Sequence, residues 1–434
     1  MNGIRVAWAD AVPRRALPFL LLLLFPRILT GYSVLTHEAV IDASWQQSIQ
    51  PVLLARFPGA TSDQLREARA YAYAGCILQD MGYYPMGSKF FSNLVHYVRS
   101  GDFVVNLVRE AQNRNELAFA LGALAHYAGD TQGHSIAVNH AVPLAYPKLA
   151  HKFGDVVTYE DDPAAHIKVE FGFDVLQVAR GHYAPTAYHD FIGFEVALPV
   201  LQRAFYRTYS LQLTDLFPDL DEAVGTYRHT VSSIIPQATK VAWHMKKDEL
   251  TRDTPGLTRR RFTYVLRRAD YRKEWGHAYR QPGFGTRLLA LIIRILPKVG
   301  PLQAFAFKPP SAEADQLFMA SFLRTVAEYG RLLKQANSPG FHLPNRDFDT
   351  GELTRPVEYR MADEAYEQLA IELAARPQAN IDPVLRKDVL DYFGNLDLPF
   401  AAKRDAKKWR AAVSAIETLK TPAASSNGAA AMPY

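Results

Sequence analysis

Two residues on one predicted helix offer the clearest chemistry in this chain. Residues 115–140 begin with leucine and alanine at helical spacing, and His126 and Asp130 lie four positions apart within them. Side chains four apart share a helix face, so an imidazole and a carboxylate would project together, as two ligands of one metal ion do. We expect the helix to break at Gly133 and to turn His134 back toward the same point. Alone, the pattern is more typical of a hydrogen-bonded core pair or a solvated helix face than of a metal site.

The histidines are concentrated in one part of the sequence. Nine of the 13 lie in the range 37–189, and carboxylates accompany them there. His166 and Glu170 are again one helical turn apart, and Asp80 ends a predicted segment that precedes His96. Imidazole and carboxylate ligands without thiolates suit zinc at a hydrolytic site, where open coordination positions hold water.

The remaining sequence predicts an all-α protein, built as a multi-helix bundle. The chain has 434 residues, of which 48% are hydrophobic, so a large core is available. Apolar residues recur at helical spacing from position 32 onward, with few strand patterns, and no repeat of 20 to 50 residues indicates a solenoid. Helix bundles commonly hold metal sites between facing helices. Cys76 is the only cysteine, which excludes an intrachain disulfide, and its apolar surroundings predict a packed core thiol.

The N-terminal segment resembles an export signal. Arg5, Arg14 and Arg15 precede an apolar run at 16–25 that is too short to span a bilayer and is followed by a proline. We therefore predict a signal peptide over residues 1–31 and an exported protein, periplasmic or secreted. An uncleaved anchor is the alternative.

Beyond this segment we predict three parts. A catalytic helical domain covers 32–250, a helical C-terminal extension covers 251–420, and a disordered tail covers 421–434. Within the extension, the range 259–302 is basic and amphipathic and could lie on a lipid surface, although a buried helix with surface arginines fits equally well. The net charge of +5 and the pI near 9.0 permit an anionic partner, either nucleic acid or a phospholipid surface, without requiring one.

The order and spacing of the candidate residues resemble the zinc-dependent phospholipase C family and its relatives, the single-strand-specific zinc nucleases. The segments YSVLTH, CILQD, NLVHYV and HYAGD and the final HxxxE pair correspond to family motifs, and the region from Tyr32 to Glu170 that contains them covers about a third of the chain. The matched positions are Tyr32, His37, Asp80, His96, His126, Asp130, His166 and Glu170. The ordered set is far more specific than any single pair, so it favours a metal site.

The resemblance implies an all-α fold around two to three zinc ions. In that pattern Asp130 bridges two ions, and His96 and His126 join it on one of them. Asp80 becomes the general base or the carboxylate that orients water, and it could also lie close to zinc.

The other implied ligands complete the cluster. His166 and Glu170 would bind a second ion together with His134. Tyr32, freed by signal cleavage, would bind a third through its amino group and carbonyl, together with His37.

One motif departs from the family pattern. The family usually has its next histidine six residues after the bridging aspartate, where this chain has Ile136. His134 stands two residues earlier and His140 four residues later. We favour His134 because it is closer to the expected turn.

The resemblance also sets out the alternatives for function. Phospholipase C activity is favoured by Glu170, where the nucleases usually have aspartate. It would cleave phospholipids to diacylglycerol and a phosphorylated headgroup through water activated on zinc. The spacing from Tyr32 to His37 favours a single-strand nuclease or nucleotidase, for which the missing disulfides are unfavourable. A non-catalytic, metal-stabilised protein that binds lipid or a partner is the third alternative, and only the presence of Asp80 argues against it.

Overall fold

A computed structural model describes residues 33–180, 193–234 and 307–421, together with positions 248 and 251. Within these ranges the chain is helical, and the β-structure there amounts to one isolated antiparallel bridge between Arg346 and Leu353. The predicted all-α class is therefore confirmed. None of the helices in the described ranges is long and apolar enough to cross a membrane.

Several predictions fall on residues outside the described ranges. They concern the signal peptide at 1–31, the ligand Tyr32, the basic stretch at 259–302 and nearly all of the tail at 421–434. The division into a catalytic part at 32–250 and an extension stays a prediction.

The described ranges contain 16 α-helices. In chain order they are α1 Val34–Ser44, α2 Gln50–Arg56, α3 Ser62–Gly75, α4 Lys89–Tyr97, α5 Ser100–Glu110, α6 Arg114–Gly133, α7 Asn139–Ala145, α8 Pro147–Phe153, α9 Pro163–Arg180, α10 Leu198–Tyr209, α11 Leu213–Leu216, α12 Leu220–His229, α13 Ala312–Leu333, α14 Arg360–Ala374, α15 Pro383–Tyr392 and α16 Ala406–Lys420. Wider π-turns occupy Trp45–Ile49, His134–Val138 and Thr230–Ile234, and 3₁₀ turns occupy Leu78–Tyr83, Gln378–Asn380 and Ala401–Arg404.

Helix α6 is the centre of the fold. The Asn113 side chain accepts a hydrogen bond of 2.9 Å from the backbone N–H of Glu116, which satisfies one of the free donors at the helix start. Almost every residue that follows is buried, because alanine, leucine and glycine leave no polar face for solvent. A helix buried on all sides needs neighbours all round it, and α3, α5 and α13 supply them.

The crossing of α3 and α6 depends on two glycines. A Cβ atom added to Gly122 would lie 2.3 Å from the Ala72 carbonyl oxygen and 2.8 Å from the Cα atom of Gly75. A Cβ atom on Gly75 would lie 2.1 Å from the Phe119 carbonyl oxygen. The two backbones therefore touch, which brings the end of α3 and the chain that follows it against α6.

The C-terminal region shares the same core. Helix α13 begins at the cap Ser311, whose hydroxyl accepts a hydrogen bond of 3.2 Å from the N–H of Ala314. It then packs along α6, and the buried Tyr329 hydroxyl donates to the Leu121 carbonyl at 2.9 Å. Residues of 307–421 and of 33–234 thus form one continuous hydrophobic cluster.

The expected boundary at Asp80 was wrong. Helix α3 follows the cap Thr61, which forms a reciprocal capping box with Gln64. Asp80 does not end that helix. The helix stops at Gly75, and Asp80 lies in the separate 3₁₀ turn Leu78–Tyr83.

The expected helix break before His134 was also wrong. Gly133 has ordinary helical angles, φ −66° and ψ −50°, and the His134 N–H still donates to the Asp130 carbonyl. The chain instead widens into a π-turn over His134–Val138, which inserts one extra residue into the turn and rotates the side chains that follow. The short helix α8 lies between α7 and α9.

We expect the Gly122→Ala variant to lose about 2 kcal/mol of unfolding free energy or more. The new methyl group would meet backbone atoms that cannot rotate away, which outweighs the better helix propensity of alanine. Chemical denaturation of both proteins measures the difference. Gly340→Ala is the control: its Cβ atom would have no heavy atom within 4 Å, so its stability should change by less than about 0.5 kcal/mol. Equal stability of the two variants would contradict the close crossing.

Candidate metal centre

The Asp130 carboxylate lies at the centre of four histidines. The His126 Nε2 atom is 3.0 Å and the His96 Nε2 atom 3.6 Å from Oδ2 of Asp130. On the other oxygen, Oδ1, the Nε2 atoms of His37 and His134 lie at 3.2 Å and 4.0 Å. All five side chains are buried. Each carboxylate oxygen thus faces its own pair of imidazoles, an arrangement in which one aspartate can bridge two cations.

The predicted residues that lie in the described ranges gather into three neighbouring groups. In each group the possible ligand atoms lie within 4.8 Å of one another. The groups are His37 with His126 and Asp130, Asp80 with His96 and His126, and His134 with His166 and Glu170. The first two share His126, and the 4.0 Å approach of His134 to Asp130 joins the third to them. Residues from α1, the 3₁₀ turn, α4, α6, the π-turn and α9 therefore meet at one place.

Backbone carbonyls orient three of the imidazoles. The His126 Nδ1 atom donates to the Cys76 carbonyl at 3.0 Å, and the His96 Nδ1 atom donates to the carbonyl four residues earlier at 2.7 Å. The His166 Nε2 atom donates to the Val157 carbonyl at 2.6 Å. Each bond fixes the ring and leaves the other nitrogen facing the cluster, as metal-binding histidines require.

His134, four residues after Asp130 and at the start of the π-turn, completes the third group. Its ring stacks on that of His166, with centroids 5.9 Å apart and planes 10° from parallel. His140 lies farther along the chain and is in none of the three groups formed by the described residues. The geometry therefore places His134, and not His140, beside Glu170.

Many polar atoms in the cluster have no hydrogen-bond partner among the described residues. They are both carboxylate oxygens of Asp80, Asp130 and Glu170, Nε2 of His126, both ring nitrogens of His134, and Nδ1 of His166. Three buried carboxylates without donors are costly unless a cation lies among them. Divalent zinc suits this set, because the donors are imidazole nitrogens and carboxylate oxygens.

In the protein alone, the pKa values of the clustered groups shift in different directions. Burial raises the pKa of Asp130, but the surrounding histidines, His126 first, outweigh it and hold that pKa well below its usual range. Burial opposes protonation of His96, yet Asp130 and Asp80 raise its pKa to about 10. The pKa of Glu170 shifts the other way from that of Asp130: burial and the charges of Asp130 and Asp80 raise it well above the usual value. A cation placed between these groups would favour the ionised carboxylates and the neutral imidazoles that bind metal.

His166 already favours its metal-binding form. Burial, followed by the nearby His134, lowers the pKa of His166 to about 3, so the ring is neutral at physiological pH. Burial and His126 lower the pKa of His37 in the same way.

The C-terminal region places side chains beside the cluster that the sequence did not indicate. The Phe348 ring lies 5.2 Å from the His96 ring and 6.1 Å from the His126 ring, measured between centroids, and its backbone N–H donates to the His96 carbonyl at 3.3 Å. The next residue, Asp349, accepts a hydrogen bond of 2.8 Å from the Tyr97 hydroxyl. These residues lie more than 200 positions after the histidines in an irregular segment, so no periodicity or spacing marks them.

Comparison with known families identifies the part of the chain that holds this cluster. Residues 36–218 match the family model described as zinc dependent phospholipase C. Neither the curated proteins nor the solved structures give a match. The matched range contains every residue of the three groups, and its described part has the all-α structure that the resemblance implied. Residues 36–218, which are less than half of the 434 residues, are thus similar to the zinc-dependent phospholipase C family.

Proposed function

We propose that this protein is a zinc-dependent phosphodiester hydrolase that cleaves phospholipids to diacylglycerol and a phosphorylated headgroup. The observation that carries the proposal is the meeting of three adjoining ligand groups, fully buried and lacking hydrogen-bond donors for their carboxylates, inside the family-matched range. A merely structural cluster of histidines and carboxylates would be expected to satisfy its own hydrogen bonds.

The proposed ligand sets draw on the residues of the three groups. Asp130 would serve two ions, one of them held together with His96 and His126 and the other with His37 and Tyr32. His134, His166 and Glu170 would hold the remaining ion.

Asp80 is proposed to act in catalysis. Its Oδ1 atom lies 3.5 Å from the His96 Nε2 atom, and both of its oxygens lack a hydrogen-bond partner among the described residues. It can therefore touch a metal ion, accept a proton from water, or do both in turn.

Zinc, when bound, would lower the pKa of water and neutralise charge on the phosphoryl oxygens. The residues of this chain position the reacting water and the phosphodiester. Asp80 orients a water molecule toward phosphorus and accepts one of its protons. As the new P–O bond forms, the bond from phosphorus to the glycerol oxygen breaks, and that oxygen takes up a proton to give diacylglycerol. No serine or cysteine nucleophile is needed.

Phospholipid is the favoured substrate for two reasons. Glu170 ends the motif in the phospholipase form, and the family takes its description from phospholipid cleavage. We also propose export after removal of 1–31, and contact with a membrane surface through the basic range 259–302. Nucleic acid is the substrate under the alternative proposal.

Metal analysis tests the ligand sets. The purified protein should contain about two to three zinc ions per chain, because two of the three groups share His126. Asp130→Asn should lose zinc and reduce activity by at least about 100-fold, since a neutral amide cannot bridge two cations. Atomic emission spectroscopy measures the zinc.

Asp388→Asn is the matched control for that variant. Asp388 is also largely buried and accepts a hydrogen bond of 3.0 Å from the Tyr366 hydroxyl, far along the chain from the cluster. The Asp388→Asn variant should contain as much zinc as the unmodified protein. Full zinc content and full activity in Asp130→Asn would refute the assignment of Asp130.

The two candidate histidines can be separated in the same way. His134→Ala should lose about one zinc ion, because it removes a ligand from the third group. His140→Ala should keep all of them, since His140 lies outside the groups. Loss of zinc from His140→Ala but not from His134→Ala would show that His140, and not His134, is the ligand.

Substrate tests distinguish the proposed activities. We expect release of diacylglycerol from phosphatidylcholine vesicles, its loss on treatment with a zinc chelator, and its return when zinc is added. Single-stranded DNA is assayed in parallel. Zinc-dependent cleavage of DNA alone would establish the nuclease alternative, and absence of turnover on both would favour the non-catalytic protein.

A further inference from the structure

A buried tyrosine lies beside the third ligand group without a function in the scheme above. Tyr159 is only 4% exposed and lies between Val157, whose carbonyl orients His166, and the start of α9. Its ring meets that of His166 edge to face, with centroids 5.9 Å apart. The phenol is also within electrostatic range of Glu170 and Asp80. It therefore contacts the third ligand group through the His166 ring.

The Tyr159 hydroxyl has no hydrogen-bond partner among the described residues. Most other buried tyrosines near it have one: Tyr97 donates to Asp349 at 2.8 Å, and Tyr359 donates to the same carboxylate. A buried hydroxyl without a partner is unfavourable, since it gives up its bonds to water and gains none in return. Phenylalanine would fill the same space without that cost, so the hydroxyl is accounted for if a bound molecule supplies the partner.

The chemistry of the surroundings defines that partner. When cations bind, they occupy the nearby carboxylates. The imidazoles of His134 and His166 belong to the same set of ligands. The Tyr159 hydroxyl can donate a hydrogen bond, as a phenol does. A donor next to a dinuclear or trinuclear cation site is suited to an oxygen atom that carries negative charge and also touches the cations.

We propose that Tyr159 is a substrate-contacting residue whose hydroxyl donates a hydrogen bond to a non-bridging oxygen of the phosphodiester. This inference rests on the proposed function, because it assigns the phosphoryl group of that reaction to the side of the cluster formed by His166 and Glu170. The bond strengthens as charge builds on the phosphoryl oxygens in the transition state, so its removal affects turnover more than ground-state binding of the lipid.

The Tyr159→Phe variant tests the proposal with little disturbance of the fold. The ring contact with His166 is retained, and no existing hydrogen bond among the described residues is lost, so zinc content and thermal stability should equal those of the unmodified protein. We expect kcat on phosphatidylcholine to fall about 100-fold with a small change in KM. Inorganic phosphate, titrated calorimetrically into the zinc-loaded proteins, should bind about tenfold more weakly to the variant.

Tyr329→Phe is the matched control. Tyr329 is as buried as Tyr159, but its hydroxyl donates to a backbone carbonyl of α6, away from the ligand groups. Its loss should lower stability modestly and leave kcat and phosphate affinity unchanged.

The two measurements keep the outcomes separate. If no phosphodiester is cleaved but phosphate binding still weakens in Tyr159→Phe, the proposed function fails and the phosphate contact stands. If cleavage is observed and Tyr159→Phe matches the unmodified protein in kcat and phosphate affinity, the contact is refuted and the proposed function stands. A protein that binds no phosphate and cleaves no phosphodiester would overturn both.

Discussion

The burial of the Asp130 carboxylate among four imidazoles is the constraint on which the rest of the structure depends. An ionised carboxylate deep in a protein is stable only beside positive charge or hydrogen-bond donors, and its oxygens have no hydrogen-bond donors among the described residues. The histidines hold it ionised in the protein alone, and divalent cations would do so more effectively. Every helix that contributes to the cluster must therefore reach one small volume.

That requirement explains the dense packing around α6. The backbone contact at Gly75 and Gly122 brings the end of α3 against the central helix, and the Cys76 carbonyl just beyond it orients His126. The same residues thus set both a helix crossing and a ligand direction. Stability and metal binding are linked here, because a larger residue at the crossing would move the carbonyl as well as the helix.

The C-terminal region takes part in this arrangement although the family match ends at residue 218. Helix α13 covers α6, and the segment that follows places Phe348 against His96 and His126. An apolar ring at that position excludes water from one side of the cluster, which strengthens the electrostatic interactions inside it. The part of the chain outside the matched range therefore completes the surroundings of the candidate metal centre.

The sequence by itself determined the fold class and the two ligand pairs that lie one helical turn apart. Helical periodicity and the one-turn pairs His126 with Asp130 and His166 with Glu170 are local properties, so they can be read without a structure. Only the tertiary structure decided the rest. A π-turn begins at His134 where a break was expected, because a buried turn can widen by one residue when the resulting packing stabilises it. Likewise, Phe348 and Tyr159 reach the cluster through contacts between distant segments, and such contacts depend on how helices pack and leave no periodic trace along the chain.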